Sequence, residues 1–170
     1  NTKGSEKNNF STNYRFDDKL NLLYTHNQAN SATQYRQFTA TSDKALNDRK
    51  YETKKDYLQL QYSDDNVKGT AYYNAGQIDY TNYDVTKSTF AYNLEKNRTY
   101  GLDVQKTWMV GDGKVLFGGS YQHEYYLPND YASATTDYDR NNYALYGQYE
   151  KPLDDKNTVI VGARETWTGS

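Results

Sequence analysis

The sequence predicts an all-β fold, an antiparallel meander of the kind that forms transmembrane barrels. Segments of roughly ten residues carry apolar side chains at every second position, which is the period of a half-buried strand. Short polar turns alternate with long polar connections, as in barrels with short turns at one membrane face and long loops at the other. Tyrosine is abundant, with 20 residues against 5 Phe and 2 Trp. Its ring and hydroxyl suit a membrane boundary, although tyrosine also favours strands in general.

The composition is compatible with a barrel and excludes several other classes. Mean hydropathy is -1.13, and no run of eighteen apolar residues exists, which excludes a transmembrane helix. A barrel strand shows lipid only every second side chain, so low hydropathy is expected. A net charge of -2 gives no basic excess for nucleic acid, and the absence of cysteine excludes disulfides and thiolate metal sites. No signal peptide opens the chain, so we expect a removed export signal or an internal piece.

Eight strands are predicted, in four hairpins closed by polar turns. Asp, Asn and Gly in those turns supply backbone hydrogen bonds and left-handed conformations. The predicted strands are 9–16 and 20–27 around the turn 17–19, 56–62 and 67–78 around 63–66, 100–110 and 115–125 around 111–113, and 143–150 and 158–165 around 154–157. Three stretches, 28–50, 79–97 and 126–141, are too polar and too unpatterned for strands and are predicted to be loops.

Alternation within the strands predicts which face each side chain occupies. The side chains expected to face lipid are Leu102, Val104, Val115, Phe117, Leu145, Val159 and Val161. Those expected to face inward are Asp103, Gln105, Ser120, Gln122, Gln148 and Arg164. Lys106 interrupts the apolar series. A lysine midway along a lipid face costs a few kcal/mol unless it snorkels, so we expect a register irregularity there or a position near the interface.

Four segments in the last 70 or so residues resemble the barrel of TonB-dependent outer-membrane receptors. In order they are YGLDVQKTW (100–108), FGGSYQHEYY (117–126), YALYGQYEKPLDD (143–155) and TVIVGARETW (158–167). The resemblance implies that 1–170 is one barrel segment, an eight-strand arc of a 22-stranded barrel without its plug domain. It implies a non-enzymatic importer of a scarce nutrient such as an iron-siderophore, haem or cobalamin, in the outer membrane of a diderm bacterium. Its partners would be outer-membrane lipid, the nutrient, and a plug domain and TonB complex engaged through parts of the protein outside this chain.

Candidate site residues follow from polarity and from the resemblance. Aromatic rings among hydrogen-bonding groups suit ligand capture or ordinary loop packing, and the candidates for ligand binding are Tyr35, Tyr83, Tyr131 and Tyr138. The candidates for the lumen face are Gln122, Glu124, Gln148 and Arg164, which either pair with each other or contact a plug or a polar ligand. His26 and His123 are isolated and are interpreted as boundary or packing residues, with haem ligation as the unsupported alternative. No catalytic set, metal site or cofactor is expected.

Two other architectures remain open at this point. One is a complete eight-stranded outer-membrane barrel that acts as an adhesin or structural protein, which would be closed by hydrogen bonds between the strands near Phe10 and Val161. The other is a soluble tyrosine-rich binding domain, which needs its apolar faces to meet in a dry core. We expect an open sheet with the curvature of a barrel much wider than eight strands.

Overall fold

The computed structural model describes residues 2–39, 42–84, 89–128 and 137–169, with side chains over 4–32, 49–83, 89–128 and 137–169. These residues form one eight-stranded antiparallel sheet in which every strand pairs with its sequence neighbours. The strands are β1 (Thr2–Arg15), β2 (Leu20–Thr39), β3 (Ser42–Ser63), β4 (Val67–Asp84), β5 (Thr89–Val110), β6 (Gly113–Leu127), β7 (Tyr138–Pro152) and β8 (Thr158–Gly169). The predicted all-β meander is therefore confirmed.

The four predicted turns lie between the expected strands. In three of them an aspartate side chain closes the turn by accepting hydrogen bonds from the backbone amides two and three residues further on. Asp17, Asp64 and Asp154 all do this, at donor–acceptor distances of 2.7 to 2.9 Å. The fourth turn places Gly111 at a φ of 62°, a left-handed conformation that favours glycine. Local turn chemistry therefore fixes the short connections.

Two of the three predicted loops are wrong, because the chain there continues as strand. β2 extends to Thr39 and pairs with β3 from Ser42, and β4 extends to Asp84 opposite Thr89 of β5. Antiparallel pairing satisfies the hydrogen bonds of the backbone N–H and C=O groups whatever the side chains are. The alternation of apolar and polar residues that predicts a strand appears in the sequence only where one face of the strand is apolar. In the third stretch, β6 reaches Leu127 and β7 begins at Tyr138.

The sheet is a single layer with two open edges. Within the described ranges, β1 pairs only with β2 and β8 only with β7, so the expected open sheet is confirmed. Leu94 and Ala144 are the buried hydrophobic side chains of those ranges. Large apolar groups such as Phe117 are about half exposed. The fold thus has no second layer to cover its apolar side chains in the part of the chain described.

Candidate functional site

The strand register divides the sheet into an apolar face and a polar face. Residues that pair across an antiparallel ladder point to the same side, and successive residues alternate. The pairing series from Leu102 through Tyr121 and Tyr143 to Trp167 lies on the apolar face. All seven side chains predicted to face outward share that face, and all six predicted to face inward lie on the other. The predicted division of the side chains is therefore confirmed.

Aromatic side chains border the apolar face toward both ends of the strands. Toward the long hairpins, a continuous pairing series contains Tyr24, Leu58, Tyr73, Tyr100 and His123. Toward the short turns lie further rings, including Trp108 and Tyr149, which both align with Val115. Between these borders the face carries small and aliphatic side chains: Leu20, Leu22, Leu60, Val67, Gly69, Ala71, Leu102, Val104, Gly119, Leu145, Gly147 and Ala163. We call this region the apolar band.

The height of the apolar band can be worked out from the strand geometry. Tyr100 and Trp108 stand eight residues apart on β5, which is about 27 Å along an antiparallel strand at roughly 3.4 Å per residue. A tilt of about 40° reduces this to about 21 Å, and the rings themselves add a few ångströms. The band therefore matches the roughly 25 Å lipid-facing belt of outer-membrane barrels.

Two charged side chains interrupt the apolar band. Lys106 pairs with Phe117 in a regular register, so the alternative of a register irregularity is wrong. Its ammonium lies 5.2 Å from the ring centre of Trp108, on the side of the short turns. Glu165, opposite Leu145 on β8, was not singled out in the sequence, and it lies midway up the band. Lys106 therefore reaches toward the turn-side border, whereas Glu165 stands at an open sheet edge.

The polar face carries a first hydrogen-bond network across β4 to β7. The Tyr72 hydroxyl donates to Gln122 Oε1 at 3.0 Å, and the Gln122 amide donates to Glu124. Glu124 accepts from the guanidinium of Arg140, with the Nε contact at 2.9 Å. Gln122 and Glu124 are thus in contact, which is one of the two alternatives left open by the sequence, but the arginine that pairs with Glu124 is Arg140 and not Arg164.

A second network links β5 to β8 on the same face. The Tyr146 hydroxyl donates to Asp103 Oδ1 at 2.9 Å, and the guanidinium of Arg164 lies 5.4 Å from the centre of the Tyr146 ring. Arg164 Nη2 also donates to Ser120 Oγ at 3.4 Å. The ring of Tyr146 therefore lies between a carboxylate on one strand and a guanidinium on another.

Glycines opposite these tyrosines allow their rings to lie flat on the sheet. A Cβ atom on Gly118 would fall 2.4 Å from Tyr146 Cζ, and one on Gly101 would fall 2.6 Å from the Tyr72 hydroxyl oxygen. Real Cβ atoms do not approach so closely, so each ring needs a glycine beneath it. Tyr72, Tyr146 and Arg140 were missed as network residues in the sequence. The sequence does contain a signal for both tyrosines. On the polar face, Tyr72 lies opposite Gly101 of β5, and Tyr146 lies opposite Gly118 of β6.

The tyrosines predicted to bind ligand are not gathered in one place. Tyr83 packs on Phe90 at 4.7 Å between ring centres, on the apolar-face register of the β4–β5 hairpin. Tyr138 stacks on Tyr126 at 6.4 Å, on the polar-face register of β6 and β7. Tyr131 and the side chain of Tyr35 lie outside the described residues. A ligand role for the four stays a prediction.

Polar groups flank the apolar band on the side of the long hairpins. His26 Nδ1 lies 2.8 Å from Asp56 Oδ1, which also accepts from the Tyr24 hydroxyl at 2.8 Å. Further out, the Lys54 ammonium lies 2.8 Å from Glu52 Oε1 and lowers the pKa of that carboxyl group. On β3 these charged groups lie two, four and six residues beyond Leu58 of the border series, so the face becomes charged just outside the aromatic border.

The described residues contain neither a helix long and apolar enough to cross a membrane nor a cluster of three metal-ligating side chains. A comparison with protein-family models and a search of curated proteins both find no match for the chain. The interpretation of the site therefore rests on its geometry and on the sequence resemblance.

Proposed function

We propose that this chain forms part of the wall of a TonB-dependent outer-membrane receptor, a non-enzymatic importer of a scarce nutrient such as an iron-siderophore, haem or cobalamin. In this proposal the apolar band faces outer-membrane lipid and the polar face lines the lumen, where it contacts the plug domain or the nutrient. Energy would come from a TonB complex through other parts of the protein, and the barrel would be of the 22-stranded type.

The observation that carries the proposal is the apolar band with aromatic rings along both borders. A soluble protein rarely leaves so large an apolar surface uncovered. Burial of such a face in hydrocarbon is favourable, and the tyrosine hydroxyls at its borders would reach the interfacial water. The short turns all lie beyond one border and the extended hairpins beyond the other, as in outer-membrane barrels.

The structure gives less support to the two alternatives. A soluble domain needs a dry core, yet the described ranges form a single layer whose largest apolar side chains are exposed. A complete eight-stranded barrel needs β1 to pair with β8, and these two strands do not pair with each other within those ranges. Unpaired edges in hydrocarbon are costly, so the proposal requires further strands at both edges.

Membrane placement can be tested with single introduced cysteines, since residues 1–170 contain none and any cysteine elsewhere in the full-length protein would be replaced by serine. Single Phe117→Cys and Gln148→Cys variants of the full-length protein would be spin-labelled in lipid vesicles. We expect the label at position 117 to be accessible to oxygen, which concentrates in hydrocarbon, and the label at 148 to be accessible to a water-soluble nickel complex. Equal access of both labels to the nickel complex would refute the lipid-facing assignment.

Transport needs a separate test in cells. Deletion of the gene should reduce uptake of at least one of radiolabelled ferric siderophore, haem or cobalamin, and a protonophore should reduce it equally in the parent strain. If the spin labels show the expected accessibility but uptake of every nutrient is unchanged, the membrane barrel would stand and the proposed transport function would be rejected.

A further inference from the structure

An open cleft of about 420 Å³ lies on the sheet around the guanidinium of Arg164. Its lining includes the side chains of Gln105, Gln148 and Tyr146, which come from β5 and β7. Gly162, which pairs with Gln148, also lines the cleft and contributes no side chain to it. The cleft therefore brings one cation and two amide groups around a space large enough for a small molecule.

The guanidinium of Arg164 is oriented but not neutralised. It lies over the Tyr146 ring, which is itself held by its hydrogen bond to Asp103. Its one hydrogen bond among the described residues is the 3.4 Å contact to Ser120, and no described carboxylate oxygen lies within 4.0 Å of it. Arg140, by contrast, is paired with Glu124. Arg164 thus keeps most of its five donors available in a fixed plane.

We propose that this cleft binds the carboxylate of a small organic acid. A planar guanidinium fork matches a carboxylate through two parallel N–H···O bonds. Neither the Gln105 nor the Gln148 side chain makes a hydrogen bond to another described residue. Both amides line the cleft and are available to a hydroxyl or carbonyl group of the same molecule. The only cation among the described residues of the cleft lining is this guanidinium, and the Asp103 carboxylate lies at the hydroxyl end of the same Tyr146 ring, so a single negative charge is favoured over a phosphate dianion. The site goes beyond the proposed transport function and does not depend on membrane placement.

Arginine modification by phenylglyoxal tests the proposal on the full-length protein. The rate at Arg164 would be measured by mass spectrometry in the presence of lactate, phosphate or chloride at equal ionic strength. The matched control is Arg15, an exposed arginine of β1 that also lies on the polar face of the sheet but outside the cleft. We expect lactate to slow modification of Arg164 several-fold more than phosphate does, and to leave Arg15 unchanged.

A variant tests whether the amides take part. Gln148→Ala should raise the lactate concentration that gives half-protection by roughly 2- to 10-fold, the ordinary contribution of one hydrogen bond. Gln61→Ala, a polar-face glutamine on β3 away from the cleft, should not change it. Equal protection of Arg164 and Arg15, or no protection by lactate, would overturn the proposal. If Arg164 does not react even without added anion, the proposal would also be overturned. That result would indicate that another part of the protein occupies the cleft and contacts Arg164.

Discussion

The flat ring of Tyr146 over Gly118 gives the sharpest stability prediction. Gly118→Ala would place a methyl group 2.4 Å from the ring atom Cζ. The ring must then lift, which breaks the hydrogen bond from its hydroxyl to the carboxylate of Asp103. A hydrogen bond to a charged group contributes about 1.5 to 3 kcal/mol, and the lower entropy of unfolded alanine offsets about 0.4 to 1 kcal/mol. We expect a net loss of about 1 to 2 kcal/mol in the free energy of unfolding.

Gly147→Ala is the matched control on the neighbouring strand. Its added Cβ would lie 3.6 Å from the backbone oxygen of Leu116 and 3.7 Å from Phe117, both ordinary van der Waals contacts. This variant should unfold at the same urea concentration as the parent or slightly above it. Both variants would be compared by urea unfolding of the protein in lipid vesicles, with the slope of the transition checked for constancy.

A double-mutant cycle separates the clash from any general effect of alanine at position 118. In a Tyr146→Ala background no ring lies over the glycine, so Gly118→Ala should cost less than about 0.5 kcal/mol. An unchanged cost in that background would show that the ring is not the cause. Equal effects of Gly118→Ala and Gly147→Ala would lead to the same conclusion.

Three further predictions concern the lipid face and the turns. Phe117→Lys should lower the free energy of unfolding in vesicles by about 2 to 4 kcal/mol, because a lysine on a lipid-facing position is costly. Gln148→Lys, on the opposite face, should change the free energy of unfolding little. Similar losses for both variants would contradict the lipid-facing assignment. Hydrogen bonds from the turn amides lower the pKa of Asp64 to about 2, so its contribution to stability should be complete above the ordinary value of 3.8 and be lost as the pH falls toward 2. Carboxyl NMR titration of Asp64 should therefore have its midpoint well below 3.8, and a midpoint at 3.8 would exclude these bonds in solution. Asp154→Ala should lower the urea concentration at the midpoint of unfolding because it removes several turn hydrogen bonds. Asp155→Ala should leave that midpoint close to the parent's, and equal shifts for the two variants would argue against the turn geometry.

The strands with one apolar face could be predicted from the sequence because alternation directly reports which side chains avoid water. The third hairpin is the clearest case: both its faces and its Gly111 turn follow from the pattern. The distal halves of β2 to β5 could not be found in this way. Both faces of the strands are polar there, so the sequence shows no alternation of apolar and polar residues. Strand formation then depends on backbone hydrogen bonds to a neighbouring strand, which cannot be inferred from the residues of one segment alone.

The polar network was predictable only in part. The alternation places Gln122, Glu124 and Arg164 on one face, but it does not say which cation reaches Glu124. That choice depends on register, which aligns Arg140 directly opposite Glu124. Arg164 lies on β8 opposite Tyr146, six residues along β7 from Arg140, so its cross-strand neighbour is a tyrosine and not a carboxylate.

The long β4–β5 hairpin also limits how access to the polar face can be controlled. Beyond the apolar band it continues as a regular ladder, from Ile78 opposite Glu95 to Asp84 opposite Thr89. Swinging such a ladder inward would break several interstrand bonds at once, and regular pairing offers no hinge at which to bend it. Under the proposed function, this hairpin would behave as a fixed rim that sets the width of the vestibule. Opening and closing would then depend on other segments.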